Sequence, residues 1–195
     1  MRAGLLLSIV MSAILTVPAA AQVFSFEGAG PVKLGMTVEA AERALGAKFG
    51  PIELPFSEEC WITSRADGKD RTIQYVVEKG KIIRIDFFAG NGEPKDLKTT
   101  KGIGIGSTED DIRDAYKDIL ISCAHYFQCD EESEIEAAKD RAEHGITEPE
   151  PPPHFSVRVD SPNHDRGIIF DTQYGKVTAF MTGFKNAIEQ MEICR

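Results

Sequence analysis

The chain has 195 residues, 42% of them hydrophobic and 27% charged, with four cysteines and a formal net charge of −9. That much apolar material excludes a disordered chain. A pI near 5.0 argues against a nucleic-acid partner, because an acidic surface repels phosphate.

Residues 1–21 read as a secretory signal. Arg2 is the only charge before Glu27, and 5–17 is an apolar run interrupted only by Ser8, Ser12 and Thr16. Such a run is shorter than the roughly 20 residues a membrane-spanning helix needs. Pro18 ends it, and Ala19-Ala20-Ala21 supplies the small residues of a cleavage site. Cleavage after Ala21 removes one positive charge and no acid, moving the net charge to −10. No second long apolar run follows, so no stable membrane insertion is predicted after cleavage, and the protein is expected in the periplasm or outside the cell. All four cysteines, Cys60, Cys123, Cys129 and Cys194, lie in the exported part, where disulfides form. Three pairings are open. Cys123 with Cys129 would close a small loop, and Cys60 with Cys194 would then tie the C-terminus to the first half. No Cys-x-x-Cys pair marks a zinc site.

The first predicted repeat covers 22–100. It opens on Leu34-Gly35-Met36-Thr37, with Thr37 placed as the N-cap of an amphipathic helix that stops at Gly46. Strand-like runs follow at 60–65, 71–78 and 81–88, separated by the turn signals Asp67-Gly68 and Lys79-Gly80. Segment 89–101, with Gly90, Gly92 and Pro94, links the halves.

The second predicted repeat covers 101–195. Ile105-Gly106-Ser107-Thr108 opens it, and Thr108 with Asp111 approximates a capping box. Its strands are expected at 155–160, 167–172 and 176–184. Gly35 and Gly106 stand 71 residues apart, whereas Gly80 and Gly175 stand 95 apart, so the second copy is longer by 24 residues. The surplus falls at about 123–153, a charged helical run followed by the stiff spacer Glu148-Pro149-Glu150-Pro151-Pro152-Pro153. Short turns between consecutive strands imply antiparallel meanders. The predicted fold class is therefore α+β, two tandem helix-plus-meander repeats forming one sheet with helices packed on one face.

Strand alternation sorts the residues into two faces. Ile73, Tyr75 and Val77, then Ile83, Ile85 and Phe87, then Phe155, Val157 and Val159 with Ile168 and Phe170, form the helix-facing set. The opposite, open face is predicted to carry Trp61, Arg65, Gln74, Arg84, Asp86 and Phe88 from the first half. Arg158, Asp160, Asp171 and Phe180 come from the second. Aromatic and arginine residues together are the usual centre of a protein interface. If Trp61 and Arg84 do not share an open surface, that expectation fails.

Other chemistry is poorly supported. Gly102-Ile103-Gly104-Ile105-Gly106-Ser107 is not a dinucleotide fingerprint, and no lysine follows as in a phosphate loop. Ser107 lacks the Gly-x-Ser-x-Gly context of a nucleophile. His125, His144, His154 and His164 are scattered. His154, Asp160, His164 and Asp165 could meet across one hairpin, although hairpin ends are polar in any case. No catalytic residue, metal or cofactor is predicted.

The Gly-Met-Thr opening, the helix ending in Leu45-Gly46 and the strands after it resemble two related groups of small bacterial envelope proteins. One is the outer-membrane lipoproteins of the SmpA/OmlA type. The other is the β-lactamase inhibitory protein family, which carries the unit twice. The lipoprotein group needs a lipid-bearing cysteine after the signal, which this chain lacks. The resemblance implies a binding role, with inhibition of an envelope-directed enzyme as one version. The expectation from sequence is an exported, non-enzymatic protein that recognises a protein or polymer partner through the open sheet face. The alternatives are a small periplasmic hydrolase with its site in 123–165 and a structural envelope component.

Overall fold

A computed structural model describes residues 23–52, 54–55, 57, 59–69, 72–88, 97–117, 119–123 and 154–189, with isolated positions between 139 and 145. The expected signal (1–21), most of the expected insertion, Cys129 and Cys194 lie outside the described residues, and only the backbone of Cys123 is described.

Three short strands open the described chain: β1 (Val23–Ser25), β2 (Gly28–Ala29) and β3 (Val32–Lys33). Helix α1 (Val38–Leu45) follows, then β4 (Leu54–Pro55), β5 (Cys60–Thr63), β6 (Ile73–Glu78), β7 (Lys81–Phe88) and β8 (Lys98–Thr99). Helix α2 (Glu109–Ala115) precedes β9 (Ile119–Cys123), β10 (His154–Asp160), β11 (Arg166–Gln173) and β12 (Lys176–Phe184), and α3 (Lys185–Glu189) ends the described chain. Eight strands form one antiparallel sheet in the order β4-β5-β6-β7-β12-β11-β10-β9. Two meanders thus meet at a β7–β12 seam. A second, four-stranded sheet has the order β3-β2-β1-β8, with β1 and β8 parallel.

This architecture corrects the expected fold class. The protein is mostly β with two sheets, and the small sheet, not a layer of helices, supplies much of the cover over the large one. The reason is size. Helices α1 and α2 have eight and seven residues and bury one residue each, Ala41 and Ile112. Two turns of helix remove too little apolar surface from water to cap eight strands. The small sheet instead delivers Phe24, Ala29 and Val32, none more than 3% exposed. Phe24 packs edge-on against Phe180 at 4.9 Å between ring centroids and lies 6.2 Å from Phe87. The Thr182 hydroxyl donates to the Ser25 carbonyl at 2.8 Å, tying the two sheets together.

The loops entering the two helices are built alike. Gly35 N–H donates to Ile82 O at 2.7 Å and Ile82 N–H to Met36 O at 2.9 Å; Gly106 N–H donates to Val177 O at 2.8 Å and Val177 N–H to Ser107 O at 2.8 Å. Gly35 and Gly106 both have φ +83°. Thr37 and Thr108 are the N-caps, and Thr108 with Asp111 closes a full capping box.

A bulge follows each of these anchor points. The β6–β7 pairing passes from Val76↔Arg84 to Val77↔Ile82, leaving Ile83 unpaired. The β11–β12 pairing passes from Asp171↔Ala179 to Thr172↔Val177, leaving Thr178 unpaired. Each extra residue reverses the alternation of its strand. Ile82 therefore joins Ile85 and Phe87 in the main core, while Ile83 packs on the other side with Cys60, Ile62 and Val76. Phe180 is likewise turned into the core, 5.0 Å from Phe87 and 5.9 Å from Phe170.

Phe180→Ala should remove the ring on which both sheets close and cost about 3–5 kcal/mol of stability. Chemical denaturation measures this, and a loss below about 1 kcal/mol would contradict the core assignment.

Candidate functional site

The face of the eight-stranded sheet turned away from the small sheet is termed the outer face. Strand register places Arg84, Asp86 and Phe88 of β7 on it. Gly183, Met181 and Ala179 of β12 follow, then Gly167, Ile169 and Asp171 of β11, then Ser156, Arg158 and Asp160 of β10.

Helix α3 lies across part of this face, in contact with β12, β11 and β7. Its seat is a pair of directly opposed glycines, Gly167 and Gly183. A Cβ on Gly167 would stand 2.6 Å from Ile188 Cδ1, and one on Gly183 would stand 2.7 Å from Ile188 Cγ2. Only glycine lets the Ile188 side chain sink onto the backbone there, and Ala187 and Ile188 are 7% and 6% exposed as a result.

Beneath α3 lies a buried ion pair. Arg84 Nε and Nη2 donate to the two carboxylate oxygens of Asp86, each at 2.7 Å, and Arg84 Nη1 donates to Ala187 O at 3.3 Å. The two residues are 7% and 1% exposed. Burial pushes the Asp86 carboxyl above its ordinary value, against the pull of the Arg84 charge and hydrogen bonds. The helix therefore shields a charged pair whose desolvation is costly, and one of its carbonyls gives the guanidinium a third hydrogen-bond acceptor atom.

A second arginine holds the end of α3. Arg158 Nε donates to Asp160 Oδ1 at 2.6 Å, and Nη1 donates to the Glu189 carboxylate. His164 Nδ1 stands 3.6 Å from Asp160 Oδ2. Partial burial raises the Asp160 carboxyl, but the Arg158 hydrogen bond and charge outweigh it and leave the group below its ordinary value.

The structure divides the predicted binding residues. Arg84, Asp86, Phe88, Arg158 and Asp171 share the outer face, but Arg84 and Asp86 are sealed under α3 rather than open. Asp171 accepts from the Ser156 hydroxyl at 2.8 Å. Trp61 pairs across from Val77 and packs on the main core, on the side opposite Arg84. Phe180 is fully buried. Arg65 lies beyond the end of β5 and forms a two-pronged contact with Asp67, whose carboxyl that hydrogen bonding holds at about 2. Trp61 and Arg84 therefore do not share an open surface, and the single mixed face expected from sequence is corrected to a smaller one.

The uncovered remainder consists of two neighbouring cross-strand rows. One runs Phe88, Ala179, Asp171, Ser156; the other includes Gln74, Met181, Ile169, Arg158 and Leu120. Phe88 is 42% and Leu120 62% exposed, with Met181 and Ile169 half-buried. Sequence reasoning missed Met181, Ile169 and Leu120. Alternation within β11 and β10 carries the signal for Ile169, but Met181 requires the bulge at Thr178.

Most of the 123–165 region of the hydrolase alternative lies outside the described residues; its 161–165 hairpin is described. The Ser161 hydroxyl donates to Asp165 Oδ1 and accepts from Arg166 N–H, while His164 faces Asp160. Among the described residues no three His, Cys, Asp or Glu side chains converge on a metal position. Cys60 is buried and disulfide-bonded. No family model, curated protein or solved structure matches the chain.

Two outcomes test this arrangement. Gly183→Ala should cost about 1–3 kcal/mol through overpacking, and Ile188→Ala in the same chain should recover part of that loss. Additive losses in the double variant would place Ile188 elsewhere. The depressed Asp160 pKa gives stability that is complete above the unfolded value, about 3.9, and is lost as pH falls through the lower folded value. The stability gap between wild type and Asp160→Asn should be constant from pH 7 to 5 and close below about pH 4. A gap unchanged down to pH 2 would refute the pairing.

Proposed function

We propose that this protein is an exported, non-enzymatic binding protein of the bacterial envelope that holds a protein partner against the outer face beside α3. The observation that carries this reading is the strip formed by Phe88, Met181 and Ile169. These are apolar side chains with exposed or half-exposed surface on a regular sheet face, flanked by Asp171, Gln74 and Arg158. An apolar centre with a polar rim is the anatomy of an interface. The net charge of −10 left after cleavage at Ala21 speeds encounter with a basic partner. Inhibition of an envelope enzyme is the version that the resemblance to the inhibitory proteins suggests.

Export rests on the signal-like residues 1–21 and cleavage after Ala21. The matched loop–helix–strand passages support reading 22–100 and 101–195 as copies of one unit. The same reading pairs Cys60 with Cys194 and Cys123 with Cys129. Cys60 lies on the face that α3 crosses, and four residues lie between Glu189 and Cys194.

A photoreactive phenylalanine analogue at Phe88 should give one discrete cross-linked adduct in periplasmic extract. The same analogue at Tyr174, 76% exposed at the β11–β12 turn, should not. Met181→Ser should abolish the Phe88 adduct while leaving the melting temperature within a few degrees. Equal labelling from both positions, or none from Phe88, would overturn the reading.

A further inference from the structure

A cleft of about 880 Å³ opens at the β9 end of the large sheet, between the end of α2, strands β9 and β10 and the 161–164 turn. It adjoins the outer face, sharing Leu120 and Arg158 with it but none of Phe88, Met181 or Ile169, and the inference does not rest on the function proposed for that strip. Its volume is that of a small-molecule site.

The lining has two characters. Phe26, Tyr116, Ile119 and Val159 make an apolar wall, in which Phe26 and Tyr116 pack edge to face at 6.3 Å between centroids. Tyr116 is only 7% exposed, and its buried hydroxyl has no hydrogen-bond partner of normal geometry although Thr99 lies near. Around this wall stand Lys101, Lys117 and Arg158, with Asp160 the one acid. Asp160 is already matched by Arg158 at 2.6 Å. Among the described residues Lys101 and Lys117 have no ion-pair partner. A cleft with surplus positive charge is a local reversal of sign in a chain of net charge −9. An apolar pocket concentrates the field of cations at its edge, because its walls have a low dielectric.

We propose that this cleft binds a small amphipathic anion, with its aromatic or acyl body on the Phe26–Tyr116 wall and its acid head at Lys101 and Lys117. Burial of the body supplies affinity, and the lysines select for negative charge.

The full exported protein is titrated with 1-anilinonaphthalene-8-sulfonate, followed by fluorescence, and in parallel with the uncharged N-phenyl-1-naphthylamine. Wild type should bind the anionic dye saturably at one site, and decanoate, but not inorganic phosphate, should displace it. Lys101→Glu/Lys117→Glu should weaken the anionic dye about tenfold or more and the uncharged dye less than about twofold, with an unchanged melting temperature. The milder Lys101→Gln/Lys117→Gln should show the same selectivity at smaller amplitude. Phe88→Ser should leave binding as it was. No saturable binding, equal loss of both dyes, or loss on Phe88→Ser would overturn the assignment, the last by placing the dye on the outer face.

Discussion

The aromatic contact at the β7–β12 seam is the constraint on which the rest of the structure depends. The register places Phe87 directly across from Phe180, and Phe24 descends from the small sheet onto both rings. Two separate meanders are thereby joined into one sheet, and a second sheet is fixed over their junction. Each fully buried ring removes a large apolar area from water, and their tilted and edge-on packing adds to it. A two-residue strand has almost no stability of its own, so β2 and β3 hold their shape because Phe24, Ala29 and Val32 are buried where the sheets meet.

With one face occupied by that contact, the other face must carry the polar residues of the same strands. There Arg84 and Asp86 sit two residues apart on β7 and satisfy each other. Alone on an open sheet such a pair would be solvated and weakly coupled. Under α3 it is desolvated, and removal of either partner would strand a buried charge. The helix stays in place because Ile188 fits the Gly167–Gly183 seat and Arg158 holds Glu189. The outer face is thus divided into a sealed part with buried charge and an uncovered strip with apolar surface.

Much of the architecture was legible locally. The Gly-x-Thr openings, the capping residues, the strand positions and the hairpin turns follow from short-range chemistry, and strands appear close to where alternation puts them. The failures have particular causes. The small sheet is built from two- and three-residue strands around 23–33, too short to show any period. Phe180 faces the core and not the outer side because the bulge at Thr178 reverses the alternation that starts at Val177. Cys60-Trp61-Ile62-Thr63 has apolar residues on both parities, so only the pairing of Trp61 with Val77 reveals its side. Alternation places Arg84 and Asp86 on the outer face, but no local pattern announces a helix 100 residues later that covers them.

By itself, the sequence determined the local elements, the doubled loop–helix opening and the outer-face position of Arg84, Asp86, Phe88, Arg158 and Asp171. Caps, turns and the two-residue strand period act over a few residues and can be read there. Tertiary structure alone decided that a second sheet covers the first, that two bulges exchange which side chains are inside, and that α3 closes part of the outer face. Those outcomes depend on pairing between segments far apart in the chain, where burial of aromatic rings and satisfaction of buried charge outweigh local preference.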